Sequence, residues 1–299
     1  MVNNFEEMCA LALQYSNNTI AVAAAEDIEV LSAVENARKR GLSEAILVGD
    51  EEKIREIALK NNIEIHNFKI INENDKAESC RLAVKQVSDG NANILMKGLV
   101  DTTVFLKAVL AKEAGLRTEN LLSHVSMFSV KNYHKIIFVT DPAITLLPDI
   151  EQKKSIVENA VYVARKFGIE EPYVAPICAI EKFNPKMQAT VDAKALSEMN
   201  AAGDIKNCYI SGPVSLDIAL SKKAGDHKGY TDKIAGNADI LLMPNIESGN
   251  ILHKAIVYLS EGQCAGAVVG AKCPIVMTSR ADSDISKIYA IAAAVLISN

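Results

Sequence analysis

The sequence has no CxxC pair, no surplus of positive charge and no apolar run long enough to cross a membrane. Its six cysteines, Cys9, Cys80, Cys178, Cys208, Cys264 and Cys273, stand far apart. Zinc sites and dithiol redox motifs need closely spaced ligands, so neither is expected. The thiols read as reduced and mostly buried. The formal net charge of -5 has the wrong sign for a protein that tracks a nucleic-acid backbone. It leaves room for a local basic pocket that takes a phosphorylated small molecule. The longest apolar stretch, Ile288 to Ile297, is far short of the roughly 20 residues of a membrane span. The opening MVNNFEEM holds two glutamates and no basic stretch, so no secretory leader is expected and a cytoplasmic location is.

Several familiar fingerprints are missing too. There is no Walker-type phosphate loop, no GxGxxG and no GxSxG elbow. The five histidines, His66, His124, His134, His227 and His253, show no HxxxH spacing, which disfavours a metal site. His124 is the histidine best placed to face a substrate, against a structural reading as a satisfied buried imidazole.

What the sequence does have is alternation. Short Val- and Ile-rich runs at Thr19–Ala25, Glu44–Val48, Asn93–Met96, Lys135–Thr140, Pro172–Ala175, Asn207–Ile210, Asp239–Met243, Gly266–Val269 and Pro274–Met277 read as buried strands. Helical periodicity marks Asp27–Arg40, Asp75–Ser88, Asp149–Phe167, Pro185–Ala202 and Glu247–Ser260. Strands that alternate with helices predict mostly parallel sheets and an α/β fold. Pro and Gly occur singly, so any two domains are joined by short crossings. In open α/β sheets ligands bind beyond the carboxyl ends of strands, and the chemistry is sought there.

Three such turns stand out. In Met277–Ile285 a strand ends and an Ala-rich helix begins near Asp284, with Ser279 and Arg280 in the turn and Asp282, Ser283 and Asp284 at the helix start. Capping of the helix explains Asp and Ser there. A hydroxyl, a fixed cation and a carboxylate within six residues also make a workable set for acyl transfer to a thiol. In Ala238–Lys254 a strand runs into Pro-Asn, and Ser248, Gly249 and Asn250 open a helix whose free amides suit an anion. An ordinary capped turn is the alternative. In Leu95–Thr103, Lys97 and Gly98 follow a strand and Thr103 lies at the next helix start, an arrangement that suits phosphate or a solvated lysine. Asp217, in Ser211–Asp217, reads as a helix cap.

Taken in order, these segments resemble the phosphate acetyltransferase/phosphate butyryltransferase family. "ADILLMPNIESGNILHK" is similar to its Ser-Gly-Asn segment, and "TSR" before an acidic helix start is similar to its second signature. "MKGLVDTTVFLKAVL", "LLSHVSMF", "FVTDPA" and "DIEQKKSIVENAV" resemble the butyryl-transferring branch. The resemblance runs through essentially the whole chain. It implies two α/β domains around a cleft, with an isocitrate/isopropylmalate dehydrogenase-like architecture. The first would cover 1–138 plus 270–299, and the second 139–269.

The resemblance also implies roles. Ser279 and Arg280 carry the catalytic pair, and Asp284 the general base, with Asp282 as the alternative. Lys97, Gly98, Thr103, Arg117, Ser126, Ser248, Gly249 and Asn250 are candidates for binding coenzyme A and phosphate. The implied reaction is reversible butyryl transfer between coenzyme A and phosphate in a ternary complex. Coenzyme A is a substrate, no cofactor or metal is needed, and the partners are small molecules plus further copies in a homo-oligomer. Three rivals are acetyl transfer, an NAD- and metal-dependent dehydrogenase on the same architecture, and a non-catalytic sensor of coenzyme A or acyl phosphate.

Overall fold

The computed structural model describes residues 2–260, 262–278 and 283–299. The strands in chain order are β1 (Thr19–Ala23), β2 (Glu44–Gly49), β3 (Lys69–Asn72), β4 (Ile94–Lys97), β5 (Ser123–Ser129) and β6 (Ile137–Thr140). They continue as β7 (Tyr173–Pro176), β8 (Tyr209–Ile210), β9 (Ile240–Leu242), β10 (Gln263–Val269) and β11 (Ile275–Val276). The helices are α1 (Phe5–Ala12), α2 (Ile28–Lys39), α3 (Glu51–Lys60), α4 (Lys76–Ser88), α5 (Thr102–Val109) and α6 (Ile150–Lys166). After them come α7 (Gln188–Ala202), α8 (Leu216–Leu220), α9 (Lys222–His227), α10 (Ile246–Leu259) and α11 (Asp284–Ser298).

Packing divides the chain into two compact units, Glu6–Asn120 with Ala265–Asn299 and Met1–Phe5 with Leu121–Cys264. The division expected from the family resemblance fell at 138/139 and 269/270. The crossings instead lie at 5/6, 120/121 and 264/265. One reason is that β5 pairs antiparallel with β6, Val125 opposite Thr140, and so packs with the later strands.

In the unit of Glu6–Asn120 with Ala265–Asn299, the strands run β3-β2-β1-β4-β11, all parallel, with β10 antiparallel to β11. The helix α2 starts at Asp27, whose Oδ1 accepts the amides of Glu29 and Val30 at 3.0 and 3.1 Å. The apolar run in α11 is buried on every side from Ile288 to Ile297, as expected of a helix apolar all round. Gly98 allows β4 to leave its sheet close to β1. A Cβ there would lie 2.2 Å from the Ala24 carbonyl oxygen.

In the other unit β5 pairs with β6, then β6-β9-β7-β8 are all parallel. Phe128, Val139, Ala175, Leu241 and Ile218 anchor its core. The helix α6 begins with a capping box, the Asp149 side chain accepting from the Gln152 amide while Gln152 accepts from the Asp149 amide. Among the described residues, no helix is long and apolar enough to cross a membrane. None of the cysteines forms a disulfide, and five of the six are buried.

Every expected strand is present within one to three residues of its expected ends, but β3 and β5 were not expected from the pattern. The strand β3 is a short, half-exposed KIIN. The apolar run of β5 is broken by Ser123, His124 and Ser126, and those polar groups are buried.

Candidate active site

A strand that buries two serines and a histidine must find them partners, because an unpaired buried polar group costs about 1–3 kcal/mol. Helix α6 supplies some of them. Asn159 donates from Nδ2 to the Ser123 hydroxyl and to the Leu121 carbonyl, both at 2.8 Å. Thr140 donates to the His124 carbonyl at 3.0 Å. The Ser126 hydroxyl stands 3.2 Å from His124 Nδ1 and 2.9 Å from His253 Nδ1. It bridges an imidazole on β5 to one on α10. Burial pushes the His124 pKa down from 6.5 to about 4, so His124 is neutral at pH 7. The His253 ring also meets Phe128 edge-on at 5.2 Å.

The first turn of α10 is held from both ends. Asn245 is its N-cap, with Oδ1 accepting the Ser248 amide at 3.0 Å. Ser248 Oγ lies 2.8 Å from Asn245 Oδ1 and 3.0 Å from the Asn245 carbonyl. Gly249 permits the helix to press against the 141–142 backbone. A Cβ would meet the Asp141 carbonyl oxygen at 2.8 Å and Pro142 Cα at 2.9 Å. Asn250 donates to the Pro142 carbonyl at 3.3 Å.

Asp141 itself is buried and accepts the amides of Ala143, Ile144 and Thr145 at 2.9, 3.0 and 3.0 Å. Burial raises its pKa above the ordinary carboxylate value, against the lowering effect of those amides. Ser248, Gly249 and Asn250 therefore gather at the start of α10, and Ser126 meets the same helix further along, at His253. Ser248 and Asn245 also edge a largely apolar cavity of about 1030 Å³, walled by Ile150, Ile177, Met187 and Met243. The buried ion pair of Lys153 and Asp192 lies in that wall, with Gln188 Nε2 on the second Asp192 oxygen at 2.8 Å.

The remaining described candidates lie in the unit Glu6–Asn120 with Ala265–Asn299. Lys97 ends β4 and donates from Nζ to the carbonyls of Val100 and Gly98 at 2.9 and 3.3 Å. The Gly98 amide is taken by the Ala23 carbonyl at 2.8 Å. Gly98 thus serves strand packing, and its amide does not point to a ligand. Thr103 is exposed in the first turn of α5, whose N-cap Asp101 makes no side-chain cap bond. Arg117 is exposed in the loop before β5.

Asp284 opens α11, but the cap is Ser283, whose Oγ accepts the Ser286 amide at 3.3 Å. Asp284 is therefore not the cap, though its carboxylate complements the helix dipole. Its side chain is 75% exposed and lies 3.8 Å from Lys287 Nζ. Ser279, Arg280 and Asp282 lie outside the described residues. Asp217 is not a cap either. It bonds Ser215 at 2.6 Å and Lys228, and both hold its carboxyl below the ordinary value.

These features define an α/β protein with mostly parallel strands, in which Ser248, Gly249 and Asn250 lie at the start of one helix and Asp284 at the start of another. Residues 4–81 and 76–295 match the family described as phosphate acetyl/butaryl transferase, and the chain belongs to that family. It is 46% identical over 297 residues, 99% of each chain, to the phosphate butyryltransferase of Clostridium acetobutylicum. It is 41% identical over 273 residues to the phosphate acetyltransferase of Thermotoga maritima, covering 91% of this chain and 92% of that one. A branched-chain phosphotransacylase from Enterococcus faecalis V583 superposes with a TM-score of 0.83 at 34% identity, over 94% of this chain and 99% of that one. A 4-hydroxythreonine-4-phosphate dehydrogenase from Burkholderia phymatum reaches a TM-score of 0.56 at 10% identity, over 95% of this chain and 99% of that one, which shows a shared fold only.

Proposed function

We propose that this chain is an acyltransferase that moves a butyryl group reversibly between coenzyme A and inorganic phosphate. The observation that carries this reading is 46% identity, over 99% of both chains, with a phosphate butyryltransferase. In the direction of thioester synthesis, the thiol of coenzyme A attacks the carbonyl carbon of butyryl phosphate. The thiol proton passes to the Asp284 carboxylate, or to Asp282 in the alternative assignment. A free thiol has a pKa of about 8.5 and is mostly protonated at pH 7, so this proton transfer matters. Ser279 orients the sulfur, and Arg280 stabilises the oxyanion of the tetrahedral intermediate. The carbonyl re-forms, the carbon–oxygen bond to phosphate breaks, and phosphate leaves. No covalent enzyme intermediate, cofactor or metal is needed.

Several features support this reading. The Asp284 carboxylate is exposed and not engaged in capping. The start of α5 near Thr103 has no side-chain cap, which leaves amides for a phosphate. Lys97 and Arg117 add positive charge to the same unit, and in the other unit Ser248 and Asn250 fix the start of α10. Ser126 acts through His253 to hold the helix that carries them. The chain is cytoplasmic and works as a homo-oligomer, a role suited to the exposed Ile251, Tyr258 and Leu259 of α10.

The test is coenzyme A release from acetyl-, butyryl- and isobutyryl-CoA with phosphate present. Butyryl-CoA is expected to give the highest kcat/KM. Faster turnover of acetyl-CoA would favour the second reading, supported by 41% identity with a phosphate acetyltransferase. One methylene is worth only about 1–3 kcal/mol of discrimination, so both are expected to react measurably. Release of no coenzyme A from any donor would overturn both readings.

A further inference from the structure

Helix α11 contains a lysine where elementary electrostatics disfavours one. Lys287 lies in the opening turns of the helix, with its side chain only 2% exposed. A helix N-terminus carries partial positive charge, so a cation belongs at the other end. Burying an ammonium adds a desolvation penalty that a methionine of similar volume would avoid. The packing of α11 against α2 does not by itself require the charge.

Two carboxylates face the Lys287 ammonium. Glu29, in the first turn of α2, pairs with Nζ and is 43% exposed. Asp284, one turn back on α11, has Oδ1 3.8 Å from the same nitrogen. An ammonium has three donors. The bond to Glu29 fixes where the nitrogen sits and leaves donors that can turn toward Asp284. Asp284 itself is 75% exposed, and Ser283 rather than Asp284 caps the helix. Lys287 is thus the cation found beside that carboxylate among the described residues. A local rule broken with no packing gain is the pattern expected of a functional position.

We propose that Lys287, anchored by Glu29, is a positioning residue that holds the Asp284 carboxylate in place for the acyl-transfer step. This rests on the acyltransferase reading with Asp284 as base. Lys287 touches no reacting atom and acts through Asp284.

The test is a double-mutant cycle of Lys287→Met and Asp284→Asn in the full-length protein, with Lys287→Arg as the conservative variant. CoA release from butyryl-CoA and phosphate, and thermal unfolding, are measured for each. Misplacing a catalytic group can cost about 100-fold, and Lys287→Met is expected to lower kcat by up to that factor with KM for butyryl-CoA within about 2-fold. Lys287→Arg is expected to recover most of kcat. The double variant is expected to be no slower than Asp284→Asn alone. Additive losses, an unchanged kcat in Lys287→Met, or a loss that follows unfolding and is not rescued by Arg would each overturn the proposal. Wild-type protein that releases no coenzyme A would instead overturn the acyltransferase reading. A wild type that turns over while Asp284→Asn remains fully active would reject Lys287 acting through Asp284.

Discussion

The start of α10 and the start of α11 are both strand-to-helix turns with Ser, Asn or Asp, yet they are built in opposite ways. Around α10 nearly every polar group is engaged. Ser248 bonds Asn245, Asn250 bonds Pro142, and Ser126 bridges two imidazoles. At α11 the helix is capped by Ser283, and the neighbouring Asp284 carboxylate extends into solvent with a buried lysine beside it. The first arrangement fixes geometry and the second presents a charge. Motif chemistry allowed capping at both, and hydrogen-bond accounting separates them.

The sharpest way to break that contrast is at α11. Asp284→Asn is expected to lower kcat about 10²–10⁴-fold, the usual contribution of a general base, with thermal stability nearly unchanged because Ser283 keeps the cap. Asp282→Asn serves as the control. A larger loss there moves the base to Asp282, and small equal losses in both remove general-base chemistry from this turn.

The α10 side is expected to answer in stability. The folded-state pKa of His124, about 4, lies below its ordinary 6.5. The unfolded chain therefore binds the proton more readily. The stability this imidazole contributes is complete above about pH 6.5 and is lost as pH falls toward 4. At about 1.4 kcal/mol per unit, the loss is roughly 3 kcal/mol. Thermal unfolding measured from pH 7 to 4.5 should show a decline that His124→Asn flattens. Parallel curves for the two proteins would refute the assignment. Gly249→Ala tests the smallest effect. A Cβ placed 2.8 Å from the Asp141 carbonyl forces α10 outward, costing about 1–3 kcal/mol. KM is expected to rise more than kcat falls, and unchanged stability would mean that the contact at Asp141 is not tight.

Much of this molecule was legible from its sequence, because strand–helix alternation is a local signal. The segment Asp239–Met243 followed by a helix from Glu247 appears as β9 and α10. Groups whose partners are distant in sequence were not legible. Gly98 looked like a ligand-binding glycine, but its amide and missing Cβ answer to Ala23 and Ala24, placed there only because β4 pairs with β1. Lys287 gave no signal, since its partner Glu29 is 258 residues away. The strand β5 escaped because its buried serines and histidine interrupt the apolar pattern, and the cavity beside Ser248 is lined from four separate segments.

Charge stabilisation is the step on which acyl transfer turns, and Arg280→Ala measures it directly. With butyryl-CoA and phosphate as substrates, loss of one oxyanion donor is expected to cost about 2.7–4 kcal/mol, a fall in kcat of about 10²–10³. Unchanged thermal stability should accompany that fall. A variant that turns over at close to the wild-type rate would contradict the assignment of Arg280 and the mechanism built on it.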